Sequence, residues 1–186
     1  MQKFDLIVIG AGSGLDVAAA AASRGMKVAI VEEGPMGGTC LNRGCIPTKI
    51  LIHSADVVQT IKKARTFGIT VGRYSVDFKK VMERARTVDA EAAGIEANLR
   101  KAKNIALFGE RAAFSGPKTL KVKAGGITAD RIVIAAGTRP SVPPIEGLDK
   151  VPYMTSDEAL RLGKLPRKLI IIGGGYIACE LAHFFG

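Results

Sequence analysis

The chain opens with a pattern of hydrophobic positions that is typical of a parallel α/β fold. Residues 4–9 form a largely apolar, β-branched run that ends at Gly10, as expected for a strand buried on both faces of a sheet. A glycine cluster and the alanine-rich segment 15–24 follow, and they predict a turn and a helix with small side chains. Residues 27–31 predict a second strand, which ends at Glu32. These segments together make one βαβ unit of about 30 residues.

The middle of the chain changes from a helical period to a strand-like one. Apolar residues recur at helical spacing over 48–65 and 77–102, which predicts two helices. Beyond them the period falls to two, and turn signals separate short apolar segments. These segments predict an antiparallel β-meander and then a buried strand. The predicted strands lie at 105–108, 111–114, 119–123 and 131–135.

The opening pattern returns near the end of the chain. The proline-rich segment 141–147 is typical of a linker, and residues 154–165 predict a short helix with Ser156 as its N-cap. Residues 168–172 then predict a strand, followed by a glycine cluster and a helix. One strand and one helix cannot bury a core. We therefore expect an α/β chain with one complete βαβ unit and the start of a second, as a fragment of a longer protein.

The composition narrows the possible classes. With 186 residues, 47% of them hydrophobic, the chain can bury a sizeable core and is too apolar to be disordered. No apolar run is long enough to span a membrane, and Asp5 interrupts the place where a signal peptide would be apolar, so we expect a cytoplasmic protein without a membrane partner. The net charge of +10 would suit nucleic acid. Its basic clusters, however, are spaced like solvated helix faces and lack interleaved aromatic residues, so we expect no nucleic-acid partner.

The first glycine cluster matches a dinucleotide-binding fingerprint at two of its three positions. Gly10 would form the tight turn, and Gly12 would let the backbone approach a pyrophosphate at the helix N-terminus. Leu15 stands at the third position, where a small residue is usual. Glu32, 22 residues after Gly10, is placed to bind ribose hydroxyls. Glu33 is a rival by one residue, but the alternation of side chains along the strand favours Glu32. The alternative is an ordinary strand–turn–helix with flexible glycines.

Two cysteines stand where a helix is expected to begin. Cys40 and Cys45 have four residues between them. A helix N-terminus favours the thiolate, which is the reactive species, so such a pair can form a disulfide that exchanges with a substrate. The alternatives are two buried structural cysteines or a zinc site. Polar Asn42 and Arg43 argue against the first, and His53 alone cannot complete a zinc ligand set, so we expect no metal.

The segment 37–49, which contains both cysteines, closely resembles the redox-active segment of the class I pyridine nucleotide-disulfide oxidoreductases. This family includes dihydrolipoamide dehydrogenase and the glutathione, mycothione and mercuric reductases. The resemblance continues in the family order through the first glycine motif, segment 135–140 and the second glycine motif at 173–178. It implies a Rossmann-like FAD-binding domain at 1–147. It also implies that 148–186 is the linker and first strand and helix of a truncated NAD(P)-binding domain.

The resemblance also implies roles for individual residues. Cys40 matches the interchange thiol that meets the substrate disulfide, and Cys45 matches the charge-transfer thiol that faces the flavin. Lys49 matches the lysine near flavin N5, Glu180 matches its partner, and Tyr176 matches a residue that shields the flavin. The remaining matches bind the cofactors. They are Gly10, Gly12, Gly14, Glu32, Gly38, Thr39, Ala136, Gly137 and Thr138 for FAD, and Gly173, Gly175 and Ala178 for NAD or NADP.

The implied function is electron transfer between NAD(P)H, FAD, the Cys40–Cys45 disulfide and a thiol or disulfide substrate, in a protein that forms a homodimer. Dihydrolipoamide is the expected substrate because that branch is the most widespread. The alternatives are a mycothione, glutathione or mercuric reductase-like enzyme, or a truncated FAD-binding module, and we expect the 186-residue chain alone to be inactive. The choice between NAD and NADP stays open. His53 and His183 are expected to have structural roles, and Cys179 to be a small buried side chain.

Overall fold

The computed structural model describes residues 1–186 and places them in two units. The first unit contains residues 1–42 and 89–139, and the second contains residues 43–88 and 140–186. The division between an FAD-binding domain at 1–147 and an NAD(P)-binding segment at 148–186 stays a prediction. None of the helices combines the length and apolar character that a membrane span requires.

The first unit is built on a six-stranded mixed sheet in the order β3-β2-β1-β6-β5-β4. The first four of these strands run parallel, and β4, β5 and β6 form an antiparallel meander. The predicted α/β class, with its parallel sheet and meander, is therefore confirmed. The strands are β1 (Gln2–Ile9), β2 (Val28–Val31), β3 (Ile105–Phe108), β4 (Ala113–Gly116), β5 (Thr119–Val122) and β6 (Gly125–Ile134).

Both faces of this sheet are covered because successive side chains of a strand point to opposite sides. On β1, Ile7 belongs to one core cluster, and its neighbours Leu6 and Val8 belong to the other. Ala18 and Ala21 of helix α1 (Gly14–Ser23) pack in the second cluster, where small side chains let the helix lie close to the strands. The continuous apolar runs of the sequence are explained by this two-sided burial.

The second unit is helical around a smaller core. Its buried centre consists of Leu51, Met82, Ala85 and Leu160. The helices of the chain that follow α1 are α2 (Gly38–Arg43), α3 (Cys45–Lys63), α4 (Phe78–Ala85), α5 (Val88–Lys101), α6 (Ser156–Ala159) and α7 (Tyr176–Phe185). Short 3₁₀ helices lie at Ala64–Phe67 and Leu148–Lys150.

Two strand predictions were wrong, one in the partner of the strand and one because the strand does not form. The strand predicted at 105–108 is not part of the meander, because it pairs in parallel with β2 at the far edge of the sheet. The strand predicted at 168–172 does not form, and Ile170 is 88% exposed. A strand needs a neighbour for its backbone hydrogen bonds, and no described segment pairs with these residues.

Two predicted helices were wrong in their extent. The helix predicted at 77–102 is divided into α4 and α5, and the Thr87 hydroxyl at the break donates to the carbonyl of Arg84 at 2.8 Å. Such a local bond competes with helix continuation. The helix predicted at 154–165 is only α6, and its N-cap is Thr155 rather than Ser156. Thr155 and Glu158 form a capping box there.

Candidate functional site

The first glycine loop lies at the carboxyl ends of the parallel strands, where α/β proteins bind ligands. Gly10 follows β1 with φ 101°, and a Cβ there would lie 2.1 Å from the carbonyl oxygen of Ala135. A Cβ on Gly14 would lie 2.8 Å from Cγ1 of Val8. Side chains at these two positions would therefore collide with the ends of the sheet, so the glycines bring the loop and the start of α1 close to the strands.

A second close approach joins this loop to α2. A Cβ on Gly38, which has φ 61°, would lie 2.6 Å from the Cα of Gly12. The Gly37 N–H donates to the carbonyl of Ala11 at 2.7 Å and holds the two segments together. The result is a surface of bare backbone beside a helix N-terminus, which fits the diphosphate of a dinucleotide.

Glu32 is held between the loops that follow β1 and β2. Its Oε2 accepts the Ala11 N–H at 2.8 Å, and its Oε1 accepts the Gly34 N–H at 2.7 Å. Each carboxylate oxygen keeps a second acceptor position, which suits a ribose hydroxyl. The rival Glu33 is exposed, and its carboxylate lies 3.8 Å from the Arg139 guanidinium. The geometry therefore favours Glu32 over Glu33 as the ribose ligand.

The predicted FAD contacts at the end of β6 are exposed in the first unit. Ala136, Gly137 and Thr138 follow β6 and leave the sheet at the carboxyl ends of its parallel strands, as Gly10 does after β1. A Cβ on Gly137 would lie 3.9 Å from the Thr39 hydroxyl. The structure thus brings this segment and Thr39, which are far apart in the sequence, into proximity.

The two predicted redox cysteines lie on consecutive helices. Cys40 is an exposed residue of α2, and Cys45 is the exposed first residue of α3. The hydroxyl and N–H of Thr48 both donate to the carbonyl of Gly44, at 2.7 and 3.1 Å, and so fix the first turn of α3. A thiol at this position lies at the positive end of the dipole of a 19-residue helix.

Sequence reasoning missed the structural role of Asn42. Its side-chain amide is 6% exposed and donates to the carbonyls of Met36 and Gly38, each at 2.9 Å. These bonds tie α2 to the loop that precedes it. A lone asparagine between two cysteines carries no local signal of such a role, because its partners are set by the path of the folded loop.

The second unit brings together two residues that the resemblance pairs. The Lys49 ammonium, one turn after Cys45 on α3, contacts the Glu180 carboxylate of α7. Seven residues further along α3, Asp56 Oδ1 lies 2.8 Å from Nε2 of His183. His183 therefore contacts α3 through its side chain, and its structural role stays a prediction.

An open cavity of about 370 Å³ lies beside Cys45 on α3. His53, expected to pack against its surroundings, is instead exposed and lines this cavity. The Arg84 guanidinium reaches it from α4 and donates to the Ser54 hydroxyl at 2.9 Å. The ionisable groups of the wall besides the thiol are all basic. The lining residues are Cys45, Ile46, Lys49, Ile50, His53 and Arg84.

The second glycine motif has no surrounding wall. A Cβ on Gly173 or Gly175 would meet nothing within 4 Å, and Tyr176, the first residue of α7, is 78% exposed. Ala178 is half-buried on the same helix. Cys179 is exposed, so the expectation of a buried side chain was wrong. Nowhere in the chain are three His, Cys, Asp or Glu side chains grouped as metal ligands would be.

Comparison with known proteins agrees with this arrangement. Residues 4–186 match the family model described as pyridine nucleotide-disulphide oxidoreductase. The chain is 38% identical to dihydrolipoyl dehydrogenase of Bacillus subtilis, over 99% of this chain and 42% of that protein. It is 40% identical to glutathione reductase of Burkholderia cepacia, over 100% and 41% of the two chains. It is 39% identical to mycothione reductase of Mycobacterium tuberculosis, over 100% and 42%.

A solved structure is similar over the same range. It is the HOCl-induced flavoprotein disulfide reductase RclA of Escherichia coli, with a TM-score of 0.82, 34% identity and coverage of 98% of this chain and 40% of that one. The chain therefore belongs to the pyridine nucleotide-disulphide oxidoreductase family. It spans about two fifths of the length of the curated relatives it matches.

Family membership defines the class of protein to which the chain belongs and leaves the substrate undetermined. The family consists of flavin-dependent disulfide oxidoreductases that use FAD and NAD(P)H, so the cofactor prediction is confirmed at this level. The names of the relatives point to three different substrates, namely dihydrolipoyl groups, glutathione and mycothione.

Proposed function

We propose that this chain supplies the FAD-binding part and the redox dithiol of an NAD(P)-dependent disulfide oxidoreductase. The observation that carries the proposal is the arrangement on α3, where Cys45 begins the helix and Lys49, one turn later, contacts Glu180. Residues 1–147 are the proposed FAD-binding domain, and 148–186 are the proposed start of the NAD(P)-binding domain. The whole protein is proposed to be a cytoplasmic homodimer.

The residues of the first unit fit FAD better than a smaller ligand. The bare backbone of Gly10, Gly12, Gly14 and Gly38 would take the diphosphate, and Glu32 would take the ribose. Thr39 and the segment 136–138 would hold the parts of the cofactor beyond the diphosphate. When bound, FAD supplies a two-electron acceptor for the dithiol and exchanges hydride with the pyridine nucleotide.

The dithiol chemistry follows from thiol–disulfide exchange. In the dehydrogenase direction, a substrate thiolate attacks Sγ of Cys40 in a Cys40–Cys45 disulfide, and Cys45 leaves as a thiolate with the electron pair of the broken bond. The second substrate thiolate then attacks the substrate sulfur bound to Cys40 and releases the Cys40 thiolate. The substrate dithiol has lost two electrons to the protein disulfide and two protons to the solvent. Cys45 is thus released at the N-terminus of α3, one turn from the Lys49 ammonium.

Dihydrolipoamide is the proposed substrate. Dihydrolipoyl dehydrogenases recur among the similar relatives, from several bacteria and at 38 to 42% identity. A mycothione reductase-like activity is the second candidate, because a relative of that name is 39% identical over the whole chain. The test compares the activities of the full-length protein on different substrates. Oxidation of dihydrolipoamide with NAD⁺ is measured against reduction of mycothione disulfide and of glutathione disulfide, each with NADH and with NADPH.

The proposal for the 186-residue chain is tested by absorbance spectroscopy. The purified chain is mixed with FAD, freed of excess cofactor and reduced stepwise with dithiothreitol without oxygen. We expect bound flavin, a new long-wavelength band on reduction, and no oxidation of NADPH or NADH. Cys45→Ser removes the band and keeps the flavin, whereas Cys40→Ser shows the band without reductant. A chain that takes up no FAD, or a band that survives Cys45→Ser, contradicts the proposal.

A further inference from the structure

Two polar contacts join the same pair of helices in the second unit. Lys49 of α3 contacts Glu180 of α7, and Asp56 of α3 lies 2.8 Å from His183 of α7. The two contacts are about two turns apart on α3 and about one turn apart on α7. The resemblance accounts for the first contact and says nothing about the second.

Apolar packing fills the space next to these contacts. Leu181 and Phe184 of α7 pack on the cluster that contains Leu51 of α3, and the Phe184 ring stacks on Phe78 of α4 with centroids 6.2 Å apart. Apolar contacts of this kind tolerate small sliding and rotation of a helix, whereas a hydrogen bond fixes distance and direction. Two polar contacts at different heights, together with this packing, constrain how α7 is rotated about its axis.

We propose that Asp56 and His183 are positioning residues, which hold α7 in the rotation at which Glu180 neutralises Lys49. Lys49 lies one turn from Cys45, at a Cβ separation of about 5–6 Å for such spacing, and both line the same cavity. The other ionisable groups of that wall, His53 and Arg84, are basic. Glu180 is thus the acid that limits the positive field at the Cys45 thiol.

The expected size of the effect follows from Coulomb's law. If the Cβ separation of about 6 Å is taken as the charge separation, a unit charge in a water-like dielectric changes the thiolate fraction about threefold. When Glu180 no longer neutralises Lys49, the Cys45 thiolate fraction rises by about this factor. The inference depends on the proposed function only for the importance of that thiolate, because the helix contacts and the assay need no cofactor.

The test uses the 186-residue chain with Cys40→Ser and Cys179→Ser, so that Cys45 is its only cysteine. The rate of alkylation by iodoacetamide is measured at pH 6.5. In this reaction the thiolate attacks the methylene carbon, a C–S bond forms and iodide leaves. We expect Glu180→Gln to raise the rate about threefold, His183→Gln to raise it about twofold, and the combination to equal Glu180→Gln alone.

The sign of the His183→Gln effect separates positioning from a direct charge effect. Loss of a cationic imidazole would by itself lower the thiolate fraction, so a higher rate requires the movement of Glu180. The exchanged pair, Asp56→His with His183→Asp, restores the original rate. Glu96→Gln, which removes the exposed partner of Arg100 on α5, is the matched control and leaves the rate unchanged.

Three results would overturn the proposal. The first is an alkylation rate that is unchanged or lower in His183→Gln, and the second is an additive effect of His183→Gln and Glu180→Gln. The third is an exchanged pair that does not restore the rate although circular dichroism shows the chain to be folded. Failure of the proposed function has a different signature. It is the absence of FAD uptake in the unsubstituted chain, which leaves these alkylation rates as predicted.

Discussion

The substitution Gly10→Ala tests whether the first glycine loop is built for close backbone approach. Its Cβ would lie 2.1 Å from the carbonyl oxygen of Ala135, and real Cβ contacts do not fall below 3.0 Å. The loop or the end of β6 must therefore move by about 1 Å. In addition, φ is 101°, a conformation that costs an L-residue about 1–2 kcal/mol.

Gly125→Ala is the matched control because it isolates the backbone term. Gly125 begins β6 with φ 115°, and a Cβ there would meet nothing within 4 Å. We expect urea denaturation to show a loss of about 1–2 kcal/mol for Gly125→Ala and about 3–4 kcal/mol for Gly10→Ala, the difference being the steric term. FAD affinity, measured by fluorescence titration, falls at least tenfold only in Gly10→Ala.

Losses of stability that are equal in the two variants, within about 0.5 kcal/mol, would refute the steric explanation. That result would mean that the loop relaxes without cost and that its glycines serve only the turn. A Gly10→Ala variant that loses stability but binds FAD as tightly as the original chain would refute the role of this loop in FAD binding.

Three further predictions concern hydrogen bonds. Glu32→Ala removes the acceptor of the Ala11 and Gly34 N–H groups; we expect a loss of about 1–3 kcal/mol in urea denaturation and weaker FAD binding, with partial rescue by Glu32→Gln. Asn42→Ala leaves the Met36 and Gly38 carbonyls without this donor, and calorimetry is expected to show a loss of about 1–3 kcal/mol. No loss is expected for the control Asn98→Ala on the exposed side of α5. Hydrogen bonds from the Thr155 hydroxyl and N–H lower the pKa of Glu158. Their stabilisation of α6 is therefore fully present above the ordinary carboxyl pKa and is lost as the pH falls through the lowered value. We expect Thr155→Val to raise the pKa of Glu158 in an NMR titration.

The local patterns of the sequence determined the first βαβ unit and the chemistry of the thiol segment. A buried apolar run followed by glycines, and small residues that line one helix face, constrain neighbouring residues directly, and β1, α1 and β2 formed close to their predicted bounds. Cys45 at a helix start likewise follows from nearby residues. The roles of Lys49 and Glu180 came only from the family resemblance, since 131 residues separate them.

Tertiary structure decided the features that depend on distant partners. The strand at Ile105–Phe108 joined β2 rather than the adjacent meander, because the choice of neighbour in a sheet is a long-range contact that periodicity does not record. The apolar segment 168–172 stayed outside any strand because nothing in the chain offers it a hydrogen-bonded neighbour. The contact of Asp56 with His183 arises in the same way. A sequence pattern records what a residue prefers locally, whereas its partner is chosen only when separate segments meet in the fold.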